Sequence, residues 1–538
     1  MMGKSLKNKA SIICLTIAVV HTIIVTILDR GIFEFPQIGE ERFGLAVLDY
    51  SVCKILTVLA LYAFYSFLKK AFIDKDETSL GIIKCGAWYA IVLVAAMVIK
   101  LPAGFLTNDE YAIYQDAVTL THDTWFNYMT VYYYIVSLMI LPIDKAPIII
   151  KVIIEFLTVG YTVYRSRKYF GPKVGLISYA LFLLYPVIAY TTSAHRLPIY
   201  FLIYLWLIVT LAYDRLDETS GKEALPRAAE AHTGETSEMA TKEPSNGRIF
   251  MMLLAGVVLT QWRTEGIYLL VLVPILLLLV YPSLRLPKRA AGMIIVYLVL
   301  QYVISIPQNG LTSAGLDDAA NDRMKPFYAY TITNMYRNGL DMEKNAEDLA
   351  IVDRYMDLDA IEAINEHYGD INYEDVLILY QDGFVGVREE ASVEDFINYS
   401  DALKRIFIAN PDVFLRTRIG AFCYAALPFH ISFGGMGIRE LVSFGISIVK
   451  TVTYNLFIPL AIAVIVCLYS LIRRRWFDFF VSGGLLAHWA IVFILAPASY
   501  FKYYFPLYIV AYFYVALGVM MLVSGKGRLR SGAGLKSS

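Results

Sequence analysis

The sequence predicts an all-α, polytopic membrane protein of about twelve membrane-spanning helices. Three observations carry that expectation. The chain of 538 residues is 58% hydrophobic and only 17% charged, with a mean hydropathy of +0.55; a soluble domain averages roughly 25% charged residues. Runs of ~17–25 predominantly apolar residues recur, the length that crosses ~30 Å of hydrocarbon. Lys and Arg gather at alternate ends of those runs, as their bias toward the cytoplasmic side requires.

The N-terminal stretch "MMGKSLKNKASIICLTIAVVHTIIVTIL" has a basic start at Lys4, Lys7 and Lys9, then an apolar run. That run is too long for a typical signal-peptide core and lacks a clear small-residue cleavage site, so it reads as a retained first helix with the N-terminus inside. Helix 10–28 exits and helix 46–68 returns to Lys69 and Lys70, making residues 1–79 an N-terminal pair. Helix 81–102 exits into a first external loop, 103–146, and opens a transmembrane core over 80–308. Residues 129–143, "MTVYYYIVSLMILPI", are short. Were they to span, the next helix, 147–164, would deliver Arg165, Arg167, Lys168 and Lys173 to the outside. Placed along the outer interface or re-entering from it, with Tyr132, Tyr133 and Tyr134 suited to the headgroup region, they let 147–164 run inward.

The remaining helices then alternate without forcing. Helix 174–191 exits to "SAHRLP", and 198–213 returns to a polar loop, 214–248, that has no apolar periodicity and reads as a flexible cytoplasmic linker. Helix 249–262 exits to "QWRTEG", 266–281 returns to "PSLRLPKR", and 291–307 exits into a hydrophilic segment. In the C-terminal part, 454–538, helix 454–472 returns to Arg473, Arg474 and Arg475. Helix 477–496 exits to "ASYFKYYFP", and 505–523 ends at Lys526, Arg528 and Arg530. The protein is thus expected to be multi-pass in the cell membrane with both termini cytoplasmic.

Between the last outward helix of the core and helix 454–472, residues 309–453 read as an external, mostly helical domain. "EDLAIVDRYMDLDAIEAINEHY" carries apolar residues at helical spacing. "SVEDFINYSDALKRIFIANPDVFLRTRI" starts on a capping Ser and ends its first helix near Asn410–Pro411. Lys plus Arg equals Asp plus Glu at 47 each, which gives no reason to expect a nucleic-acid partner. The five cysteines are scattered, mostly in apolar segments, with no C-x-x-C. They read as packing residues rather than a disulfide framework or a zinc site.

This topology collects charge on one face. Each short outer loop after the third helix presses ionisable residues against a helix end: Asp109 and Glu110, His195 and Arg196, Arg263 with Glu265, and Lys502 amid Tyr500, Tyr503 and Tyr504. Ionisable groups at membrane depth are costly and are kept for a task or a partner. Two carboxylates and several cations at one interface suit an anionic, partly lipidic substrate. Each element also has a plainer reading: Asn108, Asp109 and Glu110 as a helix cap, Arg263 and Glu265 as a structural ion pair, Arg196 and Lys502 as snorkelling cations.

The chain resembles the GT-C class of membrane glycosyltransferases, with a core like that of protein-O-mannosyltransferases and aminoarabinose transferases. The resemblance runs over roughly 80–308 and 454–523. It is carried by "GFLTNDEYAIYQDA" after an outward helix, "VGYTVYRSRKYFGPKVGLISYALFLLYPV", the turn "LTQWRTEGIYLL", and "SYFKYYFPLYIVAYF" before the last helix. The family's Pro-Pro-containing stretch after the acidic pair is replaced here by "THDTWFNYMTVYYY".

The resemblance implies transfer of a sugar from a polyprenyl-phosphate carrier to a glycan, lipid or protein acceptor outside, with the bilayer holding the carrier. It implies Asp109 as general base, and Glu110 as a group that orients the acceptor or helps hold a divalent cation. Arg263 and Lys502, beside Tyr503, are implied to grip the carrier phosphate, with Arg196 as a third cation and Glu265 as partner of Arg263. Two other readings stay open: a transporter or lipid flippase, which would line a midplane path with charge, and a lipid-linked oligosaccharide polymerase or ligase. A non-enzymatic scaffold or sensor is a further one.

Overall fold

The computed structural model describes the chain except residues 1, 41, 101–107, 122–126, 194, 231–243, 315, 369–385, 389, 432–434, 436 and 526–538; of helical residues 2–10, 100, 108, 219–230, 309–314, 316–324, 367 and 368 it describes the backbone. Among the described residues the elements are helices, apart from one isolated antiparallel bridge between Met356 and Val387. The chain divides into two compact units. The first comprises Met1–Ile304, Ile465–Ser482 and Ile509–Ser538, the second Ser305–Val464 and Gly483–Tyr508.

In the first unit the helices are α1 (Met2–Leu28), α2 (Phe43–Phe72), α3 (Glu77–Lys100), α4 (Asn108–Thr119), α5 (Tyr128–Ile140), α6 (Ala146–Phe170), α7 (Tyr179–Phe182), α8 (Tyr185–Thr191), α9 (Leu197–Glu230), α10 (Asn246–Trp262) and α11 (Leu269–Val280). Next along the chain is α12 (Pro287–Ala314). The second unit holds α13 (Leu316–Arg337), α14 (Ala346–Tyr355), α15 (Leu358–Tyr368), α16 (Val393–Ala409), α17 (Pro411–Ala426) and α18 (Ile438–Thr453); α19 (Phe457–Ile472), α20 (Trp476–Leu495) and α21 (Phe505–Val523) complete the chain.

Nine of the described helical stretches are long and apolar enough to cross a membrane, or ten if a bent pair is taken as one span. The sequence led to about twelve, and the three differences have identifiable causes. Residues 174–191 are broken, Val174–Phe182 meeting Tyr185–Thr191 at 59°: Leu184 is extended and Pro186 stands in the first turn of α8, since a proline ring cannot continue a helix through the carbonyl four residues before it. α10 is 17 residues long and Thr264–Val280 is likewise a shorter apolar stretch. At ~1.5 Å per residue each reaches ~26 Å, short of the hydrocarbon thickness.

α5 is too short to count among the spans, as expected, and its tyrosines are turned into the protein; one other expectation is corrected. Nine of its 13 residues are buried, and it packs against α1, α2, α4, α6 and α10; the Tyr132 hydroxyl donates to Asp49 and the Tyr133 hydroxyl to the Pro147 carbonyl. The linker expected from residue 214 is helical to Glu230 as part of α9, since Arg, Leu, Glu, Lys and Ala there offer helix propensity without apolar periodicity. The rest of that loop, 231–243, falls outside the described residues.

α3 and α6 approach closely enough to exclude side chains. A Cβ on Gly160 would lie 2.3 Å from the Ile82 carbonyl oxygen, and one on Gly86 would lie 2.8 Å from that of Phe156. Small residues at such a crossing let backbones pack without a hydrophobic drive. This fixes α6, which carries part of the site.

The second unit builds its own core, with Phe327, Tyr328, Tyr330, Tyr399, Leu403 and Ile406 at its centre. Arg418 of α17 is buried and is held by backbone carbonyls, Nε to Phe493 O at 2.7 Å and Nη2 to Ala496 O at 2.8 Å. α16 starts as the sequence indicates. Ser392 and Asp395 form a reciprocal capping box, and Pro411 opens α17. α18, assigned by sequence to the external domain, instead adjoins α19 within the candidate span Ile438–Ile472.

Acid sensitivity in this unit follows from three carboxylates. Burial pushes Asp353 up, but hydrogen bonds from Arg388 and the Leu358 amide outweigh it and hold it below its ordinary 3.8. The Ser392 hydroxyl and amide lower Asp395, and Lys404 lowers Asp401. A carboxylate depressed in the folded state adds stability above the unfolded value and loses it as pH falls through the folded one. Hydrogen exchange in α14 and α16, corrected for intrinsic rate, is expected to lose protection below about pH 4 and to stay protected at pH 7. Ser392→Ala should destabilise α16 by about 1 kcal/mol, read at the first-turn amides at neutral pH.

Candidate functional site

α4 begins at Asn108, so Asp109 and Glu110 occupy its first turn, where exposed backbone N–H groups favour anions. The two carboxylates then diverge. Asp109 keeps 47% of its side chain exposed, whereas Glu110 keeps 3%. Over Glu110 folds the loop before α9. The Arg196 amide donates to Glu110 Oε1 at 3.1 Å, and His195 Nδ1 stands 3.7 Å from the same oxygen. The Arg196 guanidinium lies between the two acids, with Nη1 3.7 Å from Glu110 Oε1 and 3.8 Å from Asp109 Oδ2. Two loops some 86 residues apart, read from sequence as facing the same side, meet here.

Beneath them lies a feature the sequence reading passed over. Lys151 and Glu155, one turn apart on α6, are buried. The Lys151 ammonium donates to the Ser193 carbonyl, to His195 O at 2.7 Å and to Tyr190 O at 3.5 Å. It thereby anchors the segment that presents His195 and Arg196. Tyr89 of α3 places its hydroxyl 3.0 Å from Glu155 Oε1 and 2.7 Å from Phe182 O. The signal was present in "APIIIKVIIEFLTVG": a Lys and a Glu four positions apart inside an apolar run, a costly placement that marks a partner or a task.

Arg263 and Glu265 are paired, with Arg263 Nε donating to Glu265 Oε1 at 2.5 Å and both side chains mostly buried. They connect to the acidic site through two elements of the same unit. Asn127, at the start of α5, donates to Trp262 O at 3.0 Å, and Tyr133 rests its ring 5.7 Å from Trp262. On α9, Tyr200 follows Arg196 by one turn and feels the charges of Glu265 and Arg263. Tyr134 of α5 feels those of Glu110 and Arg196.

Lys502 and Tyr503 belong to the second unit, in the short turn Phe501–Tyr504. The Lys502 ammonium sits 4.6 Å from the Tyr500 ring centre and 5.9 Å from that of Tyr503, a cation on aromatic faces.

The acidic pair does not suit a divalent cation. The guanidinium of Arg196 already occupies the space between Asp109 and Glu110, and one oxygen of Glu110 accepts a backbone amide. Mg²⁺ or Ca²⁺ needs about six or more oxygen ligands. Among the described residues no group of three or more His, Cys, Asp or Glu side chains is placed to hold a metal.

Searches against family models, curated proteins and solved structures find no match to this chain. What the fold defines is therefore an all-α, multi-pass membrane protein, with apolar helices suited to a lipid bilayer and a charged site at one end of its first unit.

Proposed function

We propose that the protein is an integral-membrane glycosyltransferase that moves a sugar from a polyprenyl-phosphate carrier to an acceptor hydroxyl on the extracytoplasmic face. One observation carries this reading: a half-exposed carboxylate, Asp109, is held beside an arginine over a second carboxylate, Glu110, that is locked inside. A general base has to reach the proton it takes, at ~2.6–3.2 Å. The exposure of Asp109 supports that contact, and the burial of Glu110 does not.

The chemistry balances as a direct displacement. The acceptor oxygen attacks the anomeric carbon, and its proton passes to the Asp109 carboxylate. The bond from that carbon to the carrier phosphate breaks, and the phosphate leaves with the electron pair. Arg196 offers a cation where negative charge grows on the leaving group, the position in which preorganised charge contributes most. Glu110 and Lys151 act through Arg196 as positioning residues. Arg263, held by Glu265, is a further cation for the carrier.

The test is a proteoliposome assay with labelled polyprenyl-phosphate hexoses and pentoses. Release of free polyprenyl phosphate with inversion at the anomeric carbon is expected. Carrier that crosses the bilayer with its sugar intact would replace this reading with a flippase. Transfer of whole lipid-linked oligosaccharides, with no monosaccharide donor accepted, would replace it with a polymerase or ligase.

A further inference from the structure

A cavity of about 420 Å³ lies within the first unit, among α2, α3, α6, α9 and α10. Its volume falls in the ~300–1,000 Å³ range of ligand sites. Phe67, Ile82, Leu157, Trp206 and Met251 line it, and Tyr161 supplies a hydroxyl at one edge. Met251 is exposed, so the cavity opens sideways, to where hydrocarbon would be. The helices around it are candidate membrane spans, α10 excepted.

Charge gathers at that hydroxyl edge. Arg165 Nη1 donates to the Tyr161 hydroxyl at 3.2 Å, and Thr210 donates to the same oxygen at 3.1 Å. Asp214 receives Arg165 at 3.1 Å and Arg248 at 2.7 Å, and Asp217 receives Arg165 at 3.0 Å. Arg248 keeps 40% of its side chain exposed, and Lys168 and Lys173 stand exposed at the same end of α6. Arg165 lies about 21 Å along α6 from Lys151, at ~1.5 Å per residue. The cavity therefore ends at the membrane face opposite Asp109, the face that basic residues assign to the cytoplasm.

We propose that this cavity holds one anionic glycerophospholipid, an acyl chain between the helices and its phosphate against Arg248 and the exposed lysines. Basic pockets between membrane helices on the cytoplasmic side recognise lipid headgroups in this way. The occupant is a bilayer phospholipid and not a polyprenyl carrier. The polar rim lies about 20 Å along α6 from the acidic site, so one phosphate cannot serve both. The inference does not depend on the transfer reaction.

Native mass spectrometry of the purified full chain tests it. One anionic phospholipid per chain is expected to survive mild detergent. Ala255→Trp, which fills the cavity from α10, should remove it. Arg248→Glu alters the exposed rim without touching the cavity, and should weaken retention by about tenfold or more, the loss of one charged hydrogen bond. In proteoliposomes, phospholipids with brominated acyl chains should quench wild-type fluorescence more than that of Trp206→Phe. Equal retention by the wild type and Arg248→Glu, recovery of polyprenyl phosphate in place of phospholipid, or a chain that emerges with no lipid would each overturn the proposal. If Ala255→Trp does not fold, Arg248→Glu and the quenching decide.

Discussion

On the proposed function, Asp109→Asn is expected to lower sugar transfer by about 10²–10⁴-fold, the usual range for loss of a general base, with expression and melting behaviour close to wild type. The asparagine keeps the shape of the side chain and its place at the start of α4. It removes the proton acceptor and the weak attraction to Arg196, 3.8 Å away. An exposed pair of this kind contributes little to stability, so the loss should fall on the rate. Glu110→Gln is the informative contrast. Its side chain is locked under the Arg196 amide, so the same isosteric change should loosen the loop and raise KM and lower stability together. Near-wild-type transfer by Asp109→Asn, at normal expression, would remove the base assignment and leave the pair a helix cap.

Lys151→Met has the largest expected effect on stability, about 2–5 kcal/mol. Methionine matches the length of the lysine stem but offers no donor. The carbonyls of Ser193 and His195, which the ammonium now satisfies, are then left inside the protein. Each buried acceptor without a partner costs ~1–3 kcal/mol, and removing one charge from a buried polar cluster near Glu155 adds to that. Cys14, Cys53 and Cys85 are buried free thiols, so a thiol-reactive dye reports unfolding directly in detergent. The melting midpoint should fall for Lys151→Met and fall less for Glu155→Gln, which keeps an acceptor for the Tyr89 hydroxyl. An unchanged midpoint for Lys151→Met would show that the loop is held by other contacts.

The sequence made the spans legible because length and apolarity are all that a bilayer asks of a helix. Nine of the twelve stretches read from the chain fall on helices long and apolar enough to cross a membrane, one of them extended backward to Ile438. The three that differ turn on local chemistry: a proline in the first turn of α8, and two segments a turn too short. The pairing of the Glu110 turn with the Arg196 loop was visible as a shared side of the membrane, but not as contact, since topology orders loops without giving their separation. Lys151 and Glu155 were missed for a physical reason. A helix read as lipid-crossing is judged by its average, and two buried charges barely move that average. The partners of the α5 tyrosines were not legible, because a tyrosine suits a headgroup region and a hydrogen-bonded interior equally well; the structure pairs Tyr132 with Asp49 and Tyr133 with the Pro147 carbonyl.

The glycine-lined crossing of α3 and α6 bears on how the two membrane faces communicate. Where Gly86 and Gly160 set one backbone against another, with the Phe156 ring also against Gly86, there is little slack to absorb strain. α6 is then expected to behave as a stiff lever between Lys151 and Arg165. A force applied at one end arrives at the other as tilt rather than being lost in bending, and paired distance probes at the two ends should move in concert.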